Sequence, residues 1–265
     1  MRGGAQSHLL RCAYRDPQSG EDRQGFFITK FQNNPQHVRV LANELLCYRL
    51  ASHLRLPVPL VEQVEVSHDL IGKTPELHME TAKGSIPCAA GLHCGSLYPG
   101  DPRRQAVFDF VPDSTLDRLV NLTDFWGTLL FDQWTCNADA RQAVFYRAPE
   151  PGLYRAMMID QGFCFNDGEW NFPDSSLRGL YHRRKVYAKI TGWECFEPWF
   201  TWIQEMPEDL LDRVYRETPR DWYGGDTEAL EHLLTRLNQR RKRLPELITA
   251  VRKSTQNPFP NWRMQ

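Results

Sequence analysis

The stretch "FDQWTCNADARQAVFYR" (residues 131–147), followed by "MMIDQGFCF" (157–165), decides how this chain reads. It sets Asn137 and Asp139 just beyond an aromatic-rich run, and it puts a second acid, Asp160, at the end of the apolar run "AMMI". An Asn or Asp after a helix often does no more than stop it, because both side chains bond their own backbone. The second acid argues otherwise. A carboxylate at a strand end, followed by Gln161 and Gly162, is placed as acids that hold magnesium over a nucleotide are placed. One acid on a loop and one at a strand end, a short hairpin apart, is the spacing phosphoryl transfer uses.

Working upstream, "GFFITKFQ" from residue 25 reads as a strand in which Lys30 shares a side with Phe26 and Ile28. An ammonium there wants a partner or an anionic ligand; a lysine snorkelling at an edge is the alternative. The helix predicted from "NNPQHVRVLANELLCYRLASHL", with Asn34 as N-cap and Pro35 in its first turn, carries Glu44 among Val40, Leu41, Cys47 and Tyr48. A carboxylate on an apolar face is costly unless paired. Lys30 and Glu44 are natural partners, either as the ion pair that holds a lysine against nucleotide phosphates or as a core salt bridge without a catalytic role. Gly3, Gly4 and Ser7 precede the first strand and could form a backbone-rich cradle for phosphates.

Two strand-like runs, 8–14 and 25–32, make a hairpin, and "LVEQVEV" (60–66) and "ELHMET" (76–81) read as further strands around a turn at Gly72 to Pro75. From about residue 115 helical spacing takes over, interrupted by the strands "QAVFYR" and "YRAMMID". Asp226 is positioned to cap a helix and Pro245 to start the next. The expected architecture is α+β: a mainly β region with one helix over residues 1–91, a linker at 92–102, and a mainly helical region over 103–265.

At 265 residues and 41% hydrophobic, the chain can bury a full core. A formal net charge of −1 with no long block of one sign speaks against a nucleic-acid-wrapping surface. No run of about eighteen apolar residues and no secretory leader is visible, so no membrane contact and a cytoplasmic location are expected. Seven cysteines without a CxxC pair argue against a disulfide framework and a thiolate zinc site; Cys88, His93 and Cys94 read as packing residues. The tryptophan-rich segments "GEWNF", "GWECFEPWFTWI" and "DWYGGD" read as helical-region core or a closing surface, and "RLNQRRKR" (236–243) as a solvated face.

Together, "FITKFQNNPQHVRVLANELLCYRLASHLRLPVP" and "FDQWTCNADARQ…MMIDQGFCFNDGEW" resemble the lysine strand, glutamate helix, catalytic loop and metal loop of the HipA-like kinases, in order, over about residues 2–250. The resemblance implies a bilobal protein-kinase-like fold, a small mainly β N-lobe and a larger mainly helical C-lobe. It implies ATP and Mg²⁺ as cofactors and a hydroxyl acceptor, on a protein Ser/Thr or a small molecule. Asp139, in a loop opened by Asn137, would orient or deprotonate that hydroxyl; Lys30 would contact the phosphates, Glu44 would hold Lys30, and Asp160 would bind the metal. The segment from Leu92 through Cys94 to Ser96 would meet the adenine through its backbone. The likeness starts almost directly at the phosphate loop, so the DNA-binding antitoxin partner of HipA toxins is not carried over.

The pattern departs in one place. Where the family has His two residues and a metal-binding Asn five residues after the catalytic Asp, this chain has Arg141 and Val144. Valine has no ligating atom, so Gln142, or Asn166 and Asp167, would have to serve; otherwise the chain is a pseudokinase-like nucleotide-binding or interaction module.

Overall fold

The computed structural model describes residues 4–263. Strands β1 (His8–Arg15) and β2 (Asp22–Lys30) form the expected hairpin, in register from His8↔Thr29 to Arg15↔Asp22. Helix α1 (Arg39–His53) starts at Arg39 and not at Pro35. The Asn34 side chain instead accepts from Gln36 N at 2.9 Å, which closes a tight turn ahead of the helix, and no side chain caps α1. Strand β3 (Val61–Val66) is followed by a short helix α2 (His68–Lys73), capped by Ser67, which accepts from Leu70 N. Strands β4 (His78–Thr81) and β5 (Gly84–Pro87) pair as a separate hairpin.

Strand β6 (Gly91–Leu97) corrects the expected linker. It is an interior strand of a four-stranded sheet of order β1-β2-β6-β3, antiparallel to β2 on one side and β3 on the other. Its glycine content misled because it serves packing: a Cβ on Gly95 would come within 2.4 Å of Val64. The chain leaves the sheet only after Leu97, at Tyr98–Pro99.

The second region holds β7 (Val107–Phe108), α3 (Asp113–Leu116), α4 (Asp124–Thr135), β8 (Gln142–Arg147) and β9 (Tyr154–Ile159). The last two strands and β7 form a three-stranded sheet of order β7-β8-β9. Short 3₁₀ turns punctuate the irregular segment 167–196 before α5 (Trp199–Gln204), α6 (Glu208–Glu217), α7 (Thr227–Arg240) and α8 (Leu244–Lys253). Asp226 caps α7 through Ala229 N at 3.0 Å, and Pro245 lies in the first turn of α8, as predicted.

One apolar core joins the two regions. The α1 residues Leu41, Leu45, Leu46 and Leu50 pack into the same cluster as Phe125, Leu129, Leu130 and Trp134 of α4, and each such buried side chain contributes about 1.5–3 kcal/mol. A smaller cluster around Phe27, Phe31 and Met79 covers other residues of the β region. Trp170, Trp199 and Trp222 are buried, as their sequence context suggests, whereas Trp193 is 40% exposed. The basic run at 236–243 is not wholly a solvated face: Arg240 is buried and donates to the carbonyls of Gln133 and Trp134 and to Asp174. Among the described residues, no helix is long and apolar enough to cross a membrane.

Candidate functional site

A cleft of about 440 Å³ opens between the β2/β6 side of the larger sheet and the β8–β9 hairpin. Its walls divide by chemistry. Ile28, Leu97, Val107, Val144, Met157 and Ile159 make one part apolar, and Lys30, Glu44, Asp160, Gln142 and Ser7 gather at the other. The alternation of β2 puts Ile28 and Lys30 on the cleft side, and that of β8 does the same for Gln142 and Val144.

Lys30 is the centre of the polar end. Its Nζ donates to Glu44 Oε1 at 2.5 Å and to Asp160 Oδ1 at 2.7 Å, so it ties β2 to α1 and to the loop after β9. Glu44, 3% exposed, also accepts from Gln161 N at 3.2 Å and Gly162 N at 3.0 Å, which satisfies a carboxylate that would otherwise be costly to bury. Burial opposes the charge on Lys30, but the two carboxylates outweigh it and hold the ammonium above its ordinary value. Burial likewise pushes Asp160 up, and Lys30 more than reverses this, leaving that carboxyl below its ordinary value. Glu44 is pushed up by burial, with Lys30 pulling against it.

Asp139 is exposed at the apex of the 137–141 loop and is linked to the cleft through Gln142. Asn137 is buried and shapes that loop: its Oδ1 accepts from Asp139 N at 3.1 Å, an Asx turn that sets the direction of Asp139. Gln142 stands between the two acids, its Nε2 3.3 Å from Asp139 Oδ2 and 3.3 Å from Asp160 Oδ2. Asp160 itself holds φ of +59°, a left-handed turn that swings its carboxylate back toward Lys30 as β9 ends.

The structure therefore brings Ser7, Lys30, Glu44, Ser96, Gln142 and Asp160 to one cleft, with Asp139 linked to it through Gln142. It does not bring Leu92 or Cys94 there. Cys94 is buried beneath the sheet, and Leu92 sits at the opposite end of β6, its carbonyl accepting from Gln32 and Trp222. Residues 94–96 are held between β2 and β3 and residues 92 and 93 pair with β3 alone, so most of this backbone is committed to the sheet and only the Ser96 side chain reaches the cleft. Gly3 lies outside the described residues; Gly4 is exposed and packs near Gln36. Asn166 is bonded to Asn171 and Arg178, which leaves Gln142 as the amide between the acids.

Two features escaped the sequence reading. Asn43, buried beside Glu44, shares the two hydrogens of its Nδ2 among the carbonyls of Gly162, Cys164 and Asp167 and accepts from Trp170 Nε1, clamping α1 to the loop after Asp160. Asp132 and Arg141 form an ion pair with 0% and 2% exposure under the 137–141 loop. The signal for Asp132 was an acid inside the apolar helix run "FWGTLLFDQWT".

No protein-family model matches the chain. No curated protein matches it either. Solved structures do resemble it in shape. A crystal structure of the Golgi casein kinase with Mn/ADP bound aligns over 94% of this chain and 73% of that chain, with a TM-score of 0.51 and 10% identity. A second structure of the Golgi casein kinase aligns over 96% and 73% with a TM-score of 0.48 and 10% identity. The Helicobacter pylori proinflammatory kinase CtkA aligns over 94% and 98% with a TM-score of 0.45 and 12% identity. The narrower HipA-like assignment rests on the sequence resemblance alone; what the first of these likenesses shows is a protein-kinase-like fold.

Proposed function

We propose that this chain is an ATP-dependent, HipA-like kinase that transfers the γ-phosphoryl group to a hydroxyl, most naturally on a protein Ser/Thr. The observation that carries this reading is Lys30, bonded at once to Glu44 and Asp160 at the polar end of an apolar cleft, with Asp139 across Gln142. The apolar part, floored by Val144, Met157 and Ile159, suits a purine ring; Tyr98 and Pro99, where the chain leaves β6, form its rim. Tyr98 N already donates to Phe26 O and Pro99 has no N–H, so the base would be met by the Ser96 hydroxyl and by carbonyl groups.

Lys30 would hold the phosphates, with Glu44 keeping it from collapsing fully onto Asp160. Asp139, exposed and oriented by Asn137, would accept the proton of the incoming hydroxyl. Ser7 and the backbone before β1 would close over the phosphates from above. The chemistry needs positioning and charge neutralisation more than covalent steps, and these residues provide both.

The donor set fits a hard divalent cation. Asp160 offers carboxylate oxygen, and the Gln142 amide turned over would offer its carbonyl, leaving Asp139 free as the base. Among the described residues no three His, Cys, Asp or Glu side chains cluster as a metal site. One carboxylate, with phosphate and water completing the shell, is an ordinary arrangement for magnesium. Bound there, the cation would neutralise charge developing on the transferred phosphoryl group. The Golgi casein kinase structure, of similar fold, holds Mn/ADP.

Thermal melts test the binding half of this reading. ADP or ATP at about 100 times its Kd should stabilise the chain by about 2.7 kcal/mol, more with Mg²⁺ or Mn²⁺ than without. No shift at millimolar nucleotide, with or without metal, would contradict it and favour an interaction module.

A further inference from the structure

The residue that breaks the family pattern, Arg141, is held by a network that reaches both acids of the site. Its Nε donates to Asp132 Oδ2 at 2.8 Å, its Nη2 to Asp132 Oδ1, and its Nη1 to the carbonyl of Ile159 at 2.8 Å. Ile159 immediately precedes Asp160. Asp132 works in the other direction: its Oδ1 accepts from Asn137 Nδ2 at 3.0 Å and its backbone carbonyl accepts from Asn137 N at 2.9 Å. The 137–141 loop is thus pinned at its first and last residues to one carboxylate, with Asp139 at the apex. A neighbouring segment seals the arrangement. Gly179 N donates to Asp139 O at 3.0 Å, and a Cβ on Gly179 would come within 2.2 Å of Asp132 Cβ, so only glycine, here at φ +67°, passes that close.

A buried ion pair is a weak way to stabilise a core, because desolvation consumes most of the Coulombic gain. A fully satisfied buried network does fix geometry. We infer that the Asp132–Arg141 pair is a positioning device that sets the distance between Asp139 and Asp160: one guanidinium, anchored to α4, holds the end of the 137–141 loop and the carbonyl before Asp160 in a single rigid frame. Neither residue contacts the cleft. Their effect on phosphoryl transfer passes through the two acids, and it rests on the kinase reading only for its consequence, not for its geometry.

The test uses Arg141→Lys, which keeps the charge facing Asp132 but cannot make the fork to Asp132 and Ile159 together. The full chain is compared with wild type in five measurements: melting temperature, ADP affinity without metal by calorimetry, Mn²⁺ affinity of the ADP complex by electron paramagnetic resonance, amide hydrogen exchange, and steady-state kinetics of phosphoryl transfer. The expected variant is folded and binds ADP unchanged, and its Mn²⁺ affinity is about tenfold weaker, the usual size of an outer-shell loss. Exchange rises in peptides covering 137–142 and 159–162 while that of α8 stays put, and kcat falls with KM for ATP unchanged. Wild-type Mn²⁺ affinity together with wild-type exchange in both loops would overturn the proposal. Should Arg141→Lys not fold, Asp132→Asn is carried through the same measurements. Failure of both to fold would also overturn it, by making the pair a requirement of the core instead of the loops. If wild type binds neither ADP nor Mn²⁺, the kinase reading fails on its own, and loop exchange alone decides the positioning claim.

Discussion

Lys30 Nζ lies 2.7 Å from Asp160 Oδ1, so a strand of the mainly β region and the loop after β9 are joined by a single proton donor that Glu44 also holds. Removing that donor leaves two carboxylates facing each other with no cation between them. Lys30→Met should therefore destabilise the chain by about 3–5 kcal/mol, the scale for breaking a buried pair. The double variant Lys30→Met/Glu44→Gln should recover part of this loss, because the stranded charge is gone. Urea melts of the three proteins check it; equal stability of the single and double variants would show that Glu44 is not left uncompensated.

The same pair makes stability depend on acid. The carboxyl of Asp160 is held below its ordinary value in the folded chain, so it binds a proton more weakly folded than unfolded. Its contribution is complete above the unfolded value of about 3.9 and is lost as pH falls through the folded one. The stability gap between wild type and Asp160→Asn should accordingly be constant from neutral pH down to about 5 and close progressively below about 4. A gap independent of pH across that window would mean that Lys30 does not bias Asp160.

Gln142 and Val144 should not be interchangeable. Val144 faces the cleft from the strand position opposite Met157, in its apolar part, whereas Gln142 lies between the two acids. Placing an amide at residue 144 by Val144→Asn, as in the HipA-like pattern, should not strengthen metal-dependent nucleotide binding, and on an apolar floor it should weaken ADP binding itself. Gln142→Ala should leave metal-free ADP binding intact and weaken the metal-dependent part. Calorimetry with and without Mn²⁺ separates the two, and an increase in metal affinity in Val144→Asn would reverse this assignment.

Asn43 carries a stability prediction free of any functional reading. Its amide serves three carbonyls and Trp170 Nε1 in a fully buried position. Asn43→Ala strands those groups and should cost about 2–4 kcal/mol, given about 1–3 kcal/mol for each buried group left unsatisfied and partial relaxation of the loop. A loss under about 1 kcal/mol in denaturant melts would show that the clamp is dispensable.

What the sequence makes legible here is misplaced charge. Lys30 beside Phe26 and Ile28, Glu44 on an apolar helix face and Asp160 at the end of "AMMI" each break a local pattern, and the structure puts all three in contact. The hairpin β1–β2, the Asp226 cap of α7 and the proline start of α8 follow from turn and helix-start chemistry that acts within a few residues. What fails to show is pairing at a distance. "GLHCGSL" has no clear period, so its place as an interior strand depends on Val64 and Phe27 from other strands closing on Gly95. Arg141 stands in sequence only as a departure from the HipA-like pattern, because nothing nearby says that its partner is Asp132, one turn before the end of α4, or that its third arm meets Ile159.

The most direct measurement is transfer of label from γ-labelled ATP, with Mg²⁺ or Mn²⁺, to the chain itself or to an added protein mixture, in wild type and in Asp139→Asn. The account predicts metal-dependent labelling in wild type that falls by at least about 100-fold in Asp139→Asn, the lower end of what a positioned general base contributes, while ADP binding is retained. Equal labelling by the two proteins would contradict it.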